Sequence, residues 1–107
     1  MDKFITRGAT PTHRFNLLND VGVINQIAKW SIVYVQQGNI VMRKTEEHVT
    51  LSGQELWFKL TQDETLAFRA NRDVEIQLKA LTESDDVLIS KIFRMDVKRV
   101  LDEEVMV

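Results

Sequence analysis

The residues whose types could do chemistry are few in this chain, and their spacing is poor. His13 and His48 are its two histidines, and no Asp or Glu follows either at the spacing of a metal-ligand or acid–base pair. Acids stand side by side at Glu46-Glu47 and Asp85-Asp86, both inside turn-like stretches. A hard cation wants about six to eight oxygens from converging loops, so each pair by itself reads as a solvated turn. Asp102-Glu103-Glu104 is a charge run, most simply a solvated end. Without cysteine there is no disulfide, no thiolate metal site and no thiol nucleophile. No glycine-rich phosphate loop, G-x-S-x-G elbow or H-E-x-x-H helix is present, and four glycines leave little from which to build a phosphate cradle. The expectation is a non-enzymatic protein with no catalytic residue, metal or cofactor.

What remains is binding. In Leu56-Trp57-Phe58-Lys59-Leu60 the apolar residues alternate, which sends Leu56, Phe58 and Leu60 inward and Trp57 outward. An outward Trp in a small β-domain serves a protein interface, serves a sugar platform, or is covered by its own chain. A platform usually shows several aromatics on one face; here Trp30, Tyr34 and Trp57 are the candidates, and Trp30 reads as core. Phe4 and Ile5 lie beside Lys3 and Arg7 in a first segment broken by Gly8, Thr10 and Pro11, and Val105 and Met106 close an acidic tail. Phe4, Ile5, Trp57, Val105 and Met106 are therefore the expected protein-interface residues. Residues 1–11 read either as an arm that orders on a neighbour or as an edge strand of their own domain.

The elements that must position these residues are strands. A chain of 107 residues is one domain with one core. Candidate strands are Thr12–Leu17, Ala28–Gln36, Ile40–Lys44, His48–Leu51, Gln54–Leu60, Asp73–Thr82 and Val87–Val97. Asn19, Asp20 and Gly22 mark a loop, and Val23–Ile27 is open between a helical turn and a strand lead-in. Gln37-Gly38-Asn39 and Ser52-Gly53 read as tight hairpins. Val33 and Val35 are apolar on the same strand as Trp30, Ile32 and Tyr34, so both faces of that strand are expected to be covered in part. Lys91 falls on the apolar phase of the last strand, which predicts a bulge between Ile89 and Phe93. Thr61 and Glu64 have capping-box spacing, predicting one helical turn over 61–68 that returns Leu66 and Phe68 to the core. About seven strands with turn signals every eight to twelve residues predict an all-β, immunoglobulin-like antiparallel β-sandwich over residues 12–99, with an acidic tail at 100–107.

Net charge is −2, which argues against general nucleic-acid affinity. The charge is uneven: residues 1–50 carry six Lys+Arg against four Asp+Glu, and residues 51–107 carry eight against twelve. Such an asymmetry can help copies associate head to tail, or can simply be a solvated surface. Met1-Asp2-Lys3-Phe4 leads into no apolar stretch of a secretory signal, and no apolar run approaches the ~20 residues of a membrane span.

Four stretches carry a resemblance: Arg7 to Leu17, Leu60 to Phe68, Val74 to Thr82 and Val97 to Val105. Together they span most of the chain, and in them it resembles small immunoglobulin-like proteins of Firmicutes phages and prophages. These are similar in plan to the N-terminal domain of phage baseplate upper proteins. The motifs are strand and turn signatures and transfer no catalytic residue. The resemblance implies a virion structural protein of the tail or baseplate, homo-oligomeric and partnered by other phage structural proteins. The alternatives are a capsid-surface (decoration) or head–tail auxiliary protein, and a carbohydrate- or host-surface-binding module.

Overall fold

The computed structural model describes residues 4–17, 27–47, 49–52 and 55–107. The predicted loop at Asn19–Gly22, the lead-in at Val23–Gln26, His48, Gly53 and Gln54 lie outside them. Nine strands and one short helix are described. They are β1 (Phe4–Thr6), β2 (Thr12–Asn16), β3 (Ile27–Gln36), β4 (Asn39–Thr45), β5 (Thr50–Ser52), β6 (Glu55–Lys59), α1 (Gln62–Leu66), β7 (Asp73–Thr82), β8 (Val87–Ile89) and β9 (Phe93–Lys98). The larger sheet runs β1-β9-β7-β3-β4 with β8 also on β7, and the smaller runs β2-β6-β5. One sheet holds the second, sixth and fifth strands. The other holds the first, ninth, seventh, third and fourth, with the eighth beside the seventh. The chain is an all-β sandwich.

The expected strands are present, and two differences raise the count from seven to nine. The first is a break in the last strand, between Ile89 and Phe93. Lys79 stands opposite Ile89, and continuing that register would put Ile76 opposite Ile92; Ile76 stands opposite Phe93 instead, one residue further on. This is the predicted bulge. Buried Ser90 holds it: its Oγ accepts from the Leu78 N–H at 3.0 Å and donates to the Lys91 carbonyl at 2.7 Å.

The second is β1. Residues 4–6 are not a free arm but an edge strand of the larger sheet, and they pair parallel with β9, Ile5 opposite Val97. The sandwich is therefore not wholly antiparallel. The segment after β1 is tied down as well. Gly8 turns with φ +84°, its N–H donates to Thr65 Oγ1 at 2.9 Å, and that hydroxyl donates to the Ala9 carbonyl at 2.8 Å.

The stretch from β6 through α1 to β7 crosses from one sheet to the other. Leu56, Phe58 and Leu60 are buried while Trp57 and Lys59 are exposed, as the alternation requires. Thr61 then caps α1. Its hydroxyl accepts from the Glu64 N–H at 3.1 Å, and the Glu64 carboxylate accepts from the Thr61 N–H at 2.9 Å, so two orphan donors of the helix start are satisfied. Phe68 returns to the core at 1 % exposure, whereas Leu66 is only half-buried. Asn71 at φ +62° turns the chain into β7, where Val74, Ile76, Leu78 and Ala80 face inward. At the β3–β4 hairpin Gln37 and Gly38 both have positive φ, the signature of a two-residue type I′ turn.

The core lies between the sheets. Phe15, Leu56 and Phe58 of the smaller sheet meet Ile32, Tyr34, Val74, Ile76, Leu78 and Met95 of the larger. Phe58 meets Tyr34 edge-on, and Phe15 meets Phe93 edge-on, with ring centroids 6.3 and 5.7 Å apart. Such contacts between offset rings add to the burial energy of the side chains themselves.

Candidate functional site

Among the described residues, the titratable side chains buried inside the sandwich are His13 and Tyr34. His13 shares the inward phase of Phe15 on β2 and is fully buried. Its Nδ1 hydrogen-bonds the Tyr34 hydroxyl across the two sheets, and the two rings stack 5.7 Å apart. Phe58 and Phe68 also pack on the Tyr34 ring. This pair is walled off from solvent, so it crosslinks the core and offers nothing to a substrate. Burial, reinforced by the Glu64 carboxylate, pushes the Tyr34 phenol well above its ordinary range. The fold thus holds the neutral phenol. Above about pH 10 the unfolded chain gains by ionising it, and stability is lost as pH rises further. Tyr34 is the sole tyrosine, so its phenolate absorbance can be followed directly. The expected result is that this absorbance grows only together with loss of the fold; a phenolate signal from folded protein near pH 10 would contradict the burial.

Glu64 sits at the surface end of the same region. Partial burial opposes its ionisation, but hydrogen bonds from Lys44 and from the Thr61 N–H outweigh that, and the carboxyl is held below its usual range. Lys44 and Glu64 form an ion pair that clips the edge strand β4 to α1.

The five expected interface residues do not converge. Ile5 is fully buried in the core and cannot meet a partner in this fold, which corrects its assignment. Parallel pairing puts it opposite Val97 and fixes its side chain inward. Phe4 points outward at 44 % exposure beneath the Lys98 ammonium, 4.2 Å from its ring centroid. Trp57 lies on the outer face of the smaller sheet, between the register positions of Arg14 and Thr50. Val105 and Met106 are exposed, on a tail laid back along the domain. Met106 exchanges two backbone hydrogen bonds with the Gln62 side chain, at 2.9 and 2.8 Å, and Glu103 pairs with Arg7.

A surface that no single stretch of sequence announces lies on the outside of the larger sheet. On β3 the odd positions Ser31, Val33 and Val35 point outward, and their register partners are Lys79, Gln77 and Glu75 on β7 and Thr45, Arg43 and Ile40 on β4. Leu81 and Lys79 of β7 stand opposite Val87 and Ile89 of β8. Partners in register project from the same face, so these side chains form one surface. Beside the exposed Arg43 and Lys79 it carries exposed apolar side chains: Ile40 is 57 % exposed, and Val87 and Ile89 are 56 % each. Val33 and Val35 were the signal in the sequence, since a strand with water on one face does not need them.

At one end of this surface is a cleft of about 380 Å³. Trp30, Leu81 and Val87 line it, together with Lys29, Arg43, Lys79 and Glu46. Among the described residues none of the three cations has an ion-pair partner. The indole N–H of Trp30 is out of water and has no acceptor among the described residues. The cleft offers positive charge beside apolar wall. No group of three or more acids or histidines among the described residues is placed to hold a metal ion, and no described helix is long and apolar enough to cross a membrane. Comparison with family models, with curated proteins and with solved structures found no match to this chain.

Proposed function

We propose that this chain is a non-enzymatic structural component of a phage particle, set in the tail or baseplate, which assembles with copies of itself and with other structural proteins through the outer face of its larger sheet. The observation that carries the reading is the exposed apolar surface of Val87 and Ile89 beside half-buried Leu81, with Ile40 exposed beside half-buried Val35 farther along the same face. Contiguous exposed apolar surface on a small domain marks a contact site. Virion localisation rests on the phage-protein resemblance of the chain's strand and turn signatures. A place on the capsid surface or at the head–tail junction uses the same surface and is the second reading. A sugar platform is disfavoured, because Tyr34 is buried in the core and Trp30 and Trp57 belong to different sheets.

Val87→Glu with Ile89→Glu is the direct test. Both side chains are more than half exposed, so the double variant is expected to fold. Its incorporation into gradient-purified particles is expected to fall by about tenfold or more, because a charge buried in an apolar contact is costly. Normal incorporation would contradict the proposal.

A further inference from the structure

We infer that the cleft at the end of the larger sheet receives the acidic segment Asp102 to Met106 of a second copy of the chain, so that copies join head to tail. This rests on the reading of the outer face as an assembly surface, and it names the occupant.

Charge and polarity match on both sides. The cleft presents Lys29, Arg43 and Lys79, without ion-pair partners among the described residues, against the single acid Glu46 and around the apolar Leu81 and Val87. The segment presents Asp102, Glu103 and Glu104 followed by Val105 and Met106, with the Met106 side chain 83 % exposed. In its own molecule Met106 buries little of its surface, while Val105 is partly covered at 38 % exposure. It is held there by the two bonds of Met106 to Gln62 and by the Arg7–Glu103 pair. An exposed ion pair of this kind contributes little.

The occupant cannot come from the same molecule. The cleft lies where β7 ends, at Lys79 and Leu81, whereas the segment leaves β9 after Lys98, beyond the point where Asp96 stands opposite Asp73 at the start of β7. Asp73 and Leu81 are about 26 Å apart at the rise of a strand. The six residues from Lys98 to Glu104, the last of the acids, span at most about 21 Å. The acids therefore reach a cleft only on another molecule. Such a contact joins two different surfaces, and repetition of it closes a ring or extends a filament.

Sedimentation equilibrium of the full chain at low salt tests this. The wild type is expected to self-associate, more weakly as salt is added. Arg43→Glu with Lys79→Glu, and separately Asp102→Lys with Glu104→Lys, are each expected to weaken association by about tenfold or more, because each leaves like charges facing each other. An equimolar mixture of the two variants restores it. Gln62→Ala frees the segment and is expected to strengthen association severalfold. Thermal melts confirm that the exposed substitutions leave the fold intact. A wild type that stays monomeric up to roughly 0.5 mM overturns the inference. Loss of association in the cleft variant with none in the segment variant also overturns it, and leaves the outer face as the assembly surface. Association unchanged in both, and in Val87→Glu with Ile89→Glu, removes both readings.

Discussion

Replacing Phe68 with Ala is expected to cost the fold about 3–5 kcal/mol, the range for emptying a buried aromatic site. Phe68 follows the one helical turn that carries the chain between the sheets, and it packs on Tyr34 with ring centroids 5.8 Å apart. Nothing nearby is free to collapse into the space, because Tyr34 is itself held by His13 and Phe58. A domain of this size is commonly stable by only about 5–15 kcal/mol, so the variant loses a large share of its margin. Leu66→Ala provides the internal comparison. Half-buried, it is expected to lose about 1–2 kcal/mol. Denaturant unfolding with an unchanged m-value measures both. A Phe68→Ala cost below about 1 kcal/mol would mean that the corner is not packed as described.

The second large effect is in the His13–Tyr34 pair. His13→Ala leaves a cavity and takes the partner of a buried hydroxyl, with an expected loss of about 2–4 kcal/mol. Tyr34→Phe keeps the ring and is expected to lose about 1–3 kcal/mol, chiefly the penalty of the polar atom left behind on His13. Combining His13→Ala with Tyr34→Phe removes both polar groups at once and should cost less than the sum of the two single changes. A coupling of at least about 1 kcal/mol from the double-mutant cycle is the expected result. Strict additivity would mean that the two groups do not hold each other.

Much of the frame could be read from local pattern, because it is made locally. Leu56, Phe58 and Leu60 take their faces from alternation, Thr61 and Glu64 satisfy each other three residues apart, and the Gly38 turn needs only its own backbone freedom. The bulge showed as a slip of phase around Lys91. What could not be read joins residues far apart in the chain. β1 is three residues long, and its parallel partner lies more than ninety residues away, so nothing near Ile5 marks it as core. His13 shares a phase with Phe15, a hint of burial, but its partner Tyr34 is on the other sheet. The three cations of the cleft come from β3, β4 and β7 and have no common spacing at all. The candidate site is thus a product of register rather than of motif, and its sequence trace is the apolar pair Val33 and Val35.

A head-to-tail contact of moderate strength suits an assembly, because symmetric repetition multiplies it. The most direct measurement of the structural role is quantitative mass spectrometry of gradient-purified phage particles from the strain that encodes this chain. The account predicts that the protein is present, at a copy number comparable to baseplate components and well below that of the major capsid protein. A copy number close to the capsid protein's would move it to the head or along the tail. Its absence from particles would contradict the structural role itself.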